Sequence, residues 1–213
     1  MPHKKIDYNL ISGQKIQRTE ALADGVFAVA MTLLVLDIKV PISDAIHSEA
    51  DLLTALGKLL PTMLSYFMSF MTLGIFWMAH SSQYSYIERT DRHLNWISIF
   101  YLMFVSLVPF TTAFINEHDN YRLSIGLYWL NILMLGILIY IHWSYAYRHN
   151  FIASEFDKEA INKAIKKRIL IAQTLYAFGA LLCFINTNLS IGVILLVQIN
   201  YAFAFSFRKK KIK

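Results

Sequence analysis

Charge is scarce in this sequence: only 16% of its 213 residues are Asp, Glu, Lys or Arg, against 56% hydrophobic and 15% aromatic. A soluble domain of that size cannot hide so much apolar surface, so the solvent for most of it must be lipid. The mean hydropathy of +0.45 says the same. Cysteine is almost absent. The lone Cys183 excludes an intrachain disulfide, and its place in an apolar run makes it a small hydrophobe. Four prolines and eight glycines are too few for a disordered or fibrous chain. Met1 to Gln17 is polar and basic, and no small-residue cleavage site follows the first apolar stretch. A secretory signal peptide is therefore not expected, and the first helix is retained. A formal net charge of +6 does not point to nucleic acid, because the basic residues flank apolar spans.

What the chain has instead is a series of apolar runs long enough to cross a bilayer at about 1.5 Å per helical residue. Six are expected, at about Ala21–Ile38, Leu52–Ala79, Leu94–Ile115, Leu123–Tyr147, Ile169–Ile185 and Leu189–Phe207. Pro61 lies near the start of the long second run, which is either part of the span or an interfacial helix kinking into it. Asn186-Thr187-Asn188 supplies turn-forming side chains for a tight hairpin between the last two spans. Seventeen of the twenty basic residues fall on one side of this layout. Only Lys39, Lys58 and Arg122 lie on the other, beside Asp37, Asp44, Glu49, Asp51, Glu117 and Asp119. The positive-inside rule makes the basic side cytoplasmic and puts both termini there. The expected organisation is a cytoplasmic segment at residues 1–20, a six-helix membrane domain at 21–207 and a basic tail at 208–213. Glu155–Lys167 is expected as a charged, solvated helix leading into the fifth span. Trp129, Trp143 and Tyr147, near span ends, are expected as interfacial anchors.

The first span carries the most information. It opens on Arg18, holds Asp24, and places Thr32 near its middle. Charge and hydroxyl are costly in lipid, so this helix should face the interior of an assembly or a hydrated path. On a helical wheel with Val29 at zero, Leu33 falls at about 40°, Leu36 at about −20°, Gly25 at about −40° and Thr32 at about −60°. Such a stripe serves either as an ordinary helix–helix contact or as the lining of an axis where several copies converge. On the second alternative Val29, Leu33 and Leu36 form hydrophobic constrictions and Thr32 supplies hydroxyl oxygens between them. One such helix per chain then requires an oligomer. Asp24 lies about 140° from Val29 and is expected to turn into the subunit and find polar partners. Trp77 and His80, on one face near the end of the second span, and Asn95, at the start of the third, are the candidates for one such cluster.

No His, Cys, Asp or Glu spacing matches zinc or haem ligation, and His80 is expected as an interface histidine. Ser81, Ser82, His118 and His142 sit at different depths and assemble no nucleophile–base pair, so an enzyme is not expected. A T-V-G-Y-G loop is missing, as is a helix with Arg at every third position, so neither a carbonyl filter nor a voltage sensor is expected. The alternative function is a proton-coupled secondary transporter or proton leak pathway using Asp24 and His80. Only one acidic residue lies well inside a span, and no inverted repeat or broken-helix pair supports a carrier.

The first-helix pattern R-x-x-x-[FL]-[SA]-D followed by G-V-F-A-x-A-x-T-L-L-V-L-D-I stands here as Arg18, Leu22, Ala23 and Asp24, then Gly25 through Ile38. With Gly74–His80, Leu94-Asn95 and Val105–Phe110, it resembles the bacterial branch of the endosomal/lysosomal potassium-channel family, transmembrane protein 175. The resemblance implies an all-α membrane protein, a homotetramer of six-helix subunits whose first helices line a central pore. It implies a gating constriction at Val29 with apolar layers at Leu33 and Leu36, a potassium-favouring layer at Thr32, and a polar network of Arg18, Asp24, Trp77, His80 and Asn95. The expected activity is a passive, voltage-insensitive, potassium-preferring cation channel in the cell membrane of a bacterium. Its partners are copies of itself, membrane lipids and the permeant potassium ion, with no cofactor and no nucleic acid. Two positions depart from the family pattern. Leu22-Ala23 replaces the usual Phe-Ser and removes a serine hydrogen bond, and Val29 is shorter than the usual Ile or Leu.

Overall fold

The computed structural model describes residues 16–42, 46–118 and 121–203. Lys4, Lys5 and Lys15 of the N-terminal segment and Arg208–Lys213 of the basic tail lie outside the described residues. Helix formation follows the apolar runs, with their ends set by local chemistry. The first helix, α1 (Ile16–Leu33), tightens into a 3-10 turn at Leu34–Asp37, so the regular helix stops short of the expected Ile38. The second expected span divides at Leu59 into α2 (Glu49–Lys58) and α3 (Leu60–Tyr84), with Pro61 in the first turn of α3, where its missing N–H costs nothing. Ser48 caps α2: its hydroxyl oxygen accepts from the Asp51 amide at 3.2 Å and its hydrogen goes to Asp51 Oδ2 at 2.8 Å. Those bonds, first from the Ser48 hydroxyl and then from the His47 amide, hold the Asp51 carboxyl below its ordinary range.

The third span is α4 (Arg92–Ser106) continued by α5 (Val108–Glu117), with Leu107 at the joint and Pro109 opening α5. Asp91 caps α4 by accepting from the Leu94 amide at 2.8 Å, and its other oxygen accepts from Tyr145 Oη at 2.6 Å. The fourth span is α6 (Arg122–Arg148). It ends because Asn150 takes a positive φ of 55°, which lets the Phe151 amide reach the Ala146 carbonyl at 3.0 Å and the Asn150 amide reach Tyr147 at 3.3 Å. This is the Schellman arrangement, and asparagine tolerates the left-handed conformation better than most residues with a side chain. The loop that follows pairs with the α3–α4 loop through a bridge between Ile87 and Ile152.

The fifth span is α7 (Lys158–Leu181), started by Asp157 and finished by a 3-10 turn at Leu182–Phe184. It therefore runs through the charged segment before the apolar run, as expected. Asn186 then turns the chain, its Oδ1 accepting from the Asn188 amide at 2.8 Å and from Leu189 at 3.2 Å, and α8 (Thr187–Phe203) returns. Five helical segments among the described residues have the length and apolar composition of a membrane span; the last, Thr187–Ala202, is apolar but shorter.

The main core joins α1 and the 3-10 turn after it, through Ala23, Phe27, Ala30 and Leu34, to Met68, Leu73 and Phe76 of α3, Tyr101 and Val105 of α4, and Leu135 and Ile139 of α6. A second cluster of Ile87, Leu94, Trp143, Ala146 and Ile152 closes the basic end. Trp143 is fully buried there and donates to Asn162 Oδ1 at 3.1 Å, so it is a core residue and not the interfacial anchor expected from its position near a span end. Gly179 sets the approach of α7 to α8: a Cβ there would lie 2.9 Å from Ile194 Cγ1, and Ser190 donates to the Gly179 carbonyl at 2.7 Å. Gly179→Leu is expected to lower stability by about 1–3 kcal/mol through overpacking, read as a lower melting temperature in detergent, with Gly179→Ala falling between.

Candidate functional site

The two faces of α1 have opposite fates. Ala30, Ala23, Leu34 and Phe27 occupy a sector of about 100° to 160° on the wheel used above, and all are buried against the rest of the chain. Gly25, Val29, Thr32, Leu33 and Leu36 occupy the opposite sector and are exposed. Val29 is 57% and Leu36 70% exposed, large values for aliphatic side chains with a core so near. The stripe is therefore not used for packing within the protomer. Thr32 Oγ1 turns its hydrogen back onto its own helix, 3.0 Å from the Ala28 carbonyl and 2.9 Å from that of Val29. That geometry leaves the lone pairs of the hydroxyl oxygen directed away from the helix.

The polar residues do not form one cluster. Asp24 Oδ1 accepts from Trp77 Nε1 at 2.8 Å, but both residues are exposed. Asp24 sits at about 220° on the wheel, beyond the buried sector, so it borders the subunit and does not turn into it. It lines an open groove with Phe27, Met31, Phe70, Gly74 and Met78 whose remaining walls are apolar. Asn95 Oδ1 accepts instead from Thr19 Oγ1 at 2.9 Å, on the turn of α1 before Asp24. Arg18 is exposed at that end and makes no ion pair among the described residues.

His80 faces inward, away from Asp24. Its ring stacks on Tyr101, 4.9 Å between centroids and 8° from parallel, and lies 5.5 Å from the His142 ring. Gln83, one turn further along α3, ties the group together: Oε1 meets His142 Nδ1 at 2.8 Å and Nε2 donates to the Ile139 carbonyl at 3.1 Å. Sequence reasoning missed this association because His142 stands 62 residues from His80, and only packing of α6 against α3 brings them together. The spacing of His80, Gln83 and Tyr84 on one face of α3 was the available signal.

A second polar layer lies deeper in the bundle. Tyr128 Oη is 2.9 Å from Thr72 Oγ1, Thr112 Oγ1 donates to Ser69 Oγ at 2.6 Å, and Gln198 Nε2 donates to Thr72 Oγ1 at 2.7 Å. These bonds join α3, α5, α6 and α8 where each unpaired hydroxyl would be expensive. At the far end of α1, Asn116 donates to Asp37 Oδ2, while Lys39 pairs with Glu117 at 3.9 Å. Among the described residues no group of three or more His, Cys, Asp or Glu side chains is placed to hold a metal ion.

Five membrane-length apolar helical segments bundled around buried polar layers make this a multi-pass, all-helical membrane protein. The family model described as endosomal/lysosomal potassium channel TMEM175 matches residues 18–109, which take in α1 from Arg18 onward, α2, α3 and α4. A potassium channel from Chamaesiphon minutus is 34% identical over 189 residues, covering 87% of this chain and 92% of the relative. The crystal structure of a lysosomal potassium-selective channel TMEM175 homolog from the same organism superposes with a TM-score of 0.75 at 32% identity, covering 89% of this chain and 97% of that one. The mouse endosomal/lysosomal proton channel TMEM175 is 31% identical over 212 residues, covering 89% of this chain and 40% of the mouse protein. The chain belongs to the TMEM175 family.

Proposed function

We propose that this protein is a passive potassium-preferring cation channel, formed by a homotetramer of six-span subunits in the cell membrane with their basic ends in the cytoplasm. The sixth span is α8. Copies of α1 surround the axis. Val29, Leu33 and Leu36 form apolar rings that gate by dewetting, and Thr32 contributes a ring of oxygens that partly replaces the ion's hydration shell. One observation carries this proposal: the exposed face of α1 in the protomer is the stripe holding Val29, Thr32, Leu33 and Leu36, while its other face is sealed into the core. The name and near-complete overlap of the Chamaesiphon relative support potassium as the permeant ion. No cofactor is needed for such conduction. The Asp24–Trp77 pair, the Thr19–Asn95 pair and the His80 group then hold the basic end of α1 against α3 and α4.

A proton-coupled carrier has less to support it, since Asp24 and His80 point to different sides of α3 and make no contact that would relay a proton between them. Thr32 provides the direct test. Thr32→Ala is expected to lower the potassium-to-sodium permeability ratio several-fold while leaving assembly intact, measured as reversal potentials in mixed salts across a planar bilayer. Unchanged reversal potentials would remove Thr32 from selection.

A further inference from the structure

Near the basic end of the bundle, α3 and α7 are held apart by α6 and α8, on which both of them pack. The gap between them is a cavity of about 250 Å³. Ile75, Phe76, Ile139, Ile165 and Ile169 give it apolar walls, and the exposed Arg168 borders it. One buried polar atom of the lining residues, Oε1 of Gln173, has no protein partner, whereas the hydroxyl of Tyr176, a residue only 1% exposed, belongs with Gln198 and Thr72 of the buried polar layer. The Gln173 amide nitrogen has only a long contact of 3.4 Å to the Ile132 carbonyl. Buried polar groups left unpaired are costly, so an occupant offering them partners is favoured. Water alone is a poor occupant of a space with mainly apolar walls, because it needs several polar neighbours.

Charge narrows the choice. The first turns of α7 carry Lys158, Lys163, Lys166, Lys167 and Arg168 against a single acid, Glu159. Lys166 turns away over the rings of Tyr140 and Tyr147, at 5.4 and 5.8 Å, which leaves Arg168 as the cation on the cavity face. Its guanidinium lies 6.0 Å from the Tyr201 ring, which also lines the cavity. Gln173 follows Arg168 at about 7.5 Å along the helix axis. Cation first, a polar group next and apolar walls throughout match the order of phosphate, glycerol-ester and acyl chain in a membrane lipid. Basic pockets between spans are a known setting for anionic headgroups.

We propose that the cavity between α3, α6, α7 and α8 binds one anionic glycerophospholipid, with its phosphate on Arg168, its glycerol-ester region beside Gln173, and an acyl chain along the isoleucine-lined wall. The test is titration of delipidated full-length protein with phosphatidylglycerol and, in parallel, phosphatidylcholine, read by native mass spectrometry. Wild type is expected to hold phosphatidylglycerol in preference to phosphatidylcholine, and excess inorganic phosphate is expected not to displace it. Arg168→Gln is expected to weaken phosphatidylglycerol binding by about tenfold or more through loss of a charge-assisted contact. Lys163→Gln, which removes the same charge away from the cavity, is expected to weaken it by about fivefold or less. Equal binding of the two lipids, displacement by inorganic phosphate, or a loss in Arg168→Gln no larger than in Lys163→Gln overturns the proposal. None of these measurements depends on ion conduction.

Discussion

Liposomes carrying Val29→Trp are expected to show potassium flux no higher than protein-free liposomes, with the variant still eluting at the wild-type position in size exclusion. Val29 projects from the exposed face of α1, where the protomer offers it little to pack against. In the proposed pore a bulkier ring there meets only its own copies across the axis, which spares the fold and closes the narrowest point. Val29→Ala is expected to act in the opposite sense and raise basal flux several-fold by widening and wetting the constriction. The pair of variants separates a pore lining from an ordinary helix contact. A packing surface between helices would respond to either change with altered assembly, and a lipid-facing surface would respond to neither. Wild-type flux from Val29→Trp places the constriction elsewhere.

Trp143→Ala is expected to destabilise the protein by about 3–5 kcal/mol, enough to prevent recovery of a monodisperse species in detergent. Trp143 is the largest fully buried side chain, and it packs Ile87 and Leu94 against Ala146 and Ile152. Its ring also meets Tyr86 edge-on, 6.2 Å between centroids, so its removal uncouples the α3–α4 loop from α6 and α7. Trp143→Phe keeps most of the buried ring and gives up the bond to Asn162, for an expected loss of about 1 kcal/mol. Near-wild-type melting of Trp143→Ala would mean that the loops are held by other contacts.

The positions of the spans were legible in the sequence because each is an apolar run bounded by turn or cap residues that act locally. Asp91, Asp157 and Asn186 cap or turn the chain where they stand, whatever the rest of the fold does. The exposed stripe of α1 was legible for a similar reason, since a single helix fixes the relative directions of Val29, Thr32, Leu33 and Leu36. The wheel did not disclose how wide the buried sector is. Asp24 thus fell outside it, although its angle from Val29 had placed it on the opposite side.

Sequence alone determined that this is a helical membrane protein of the TMEM175 family and which face of its first helix stands apart. Tertiary structure decided which polar groups meet. It divided one expected network into the Asp24–Trp77 pair, the Thr19–Asn95 pair and the His80, Gln83 and His142 group, and it moved Trp143 from the membrane interface into the core. The reason is one of range. Periodicity and capping depend on residues a few positions apart, whereas a partner on another helix is chosen by how the helices rotate and cross, which no local pattern records.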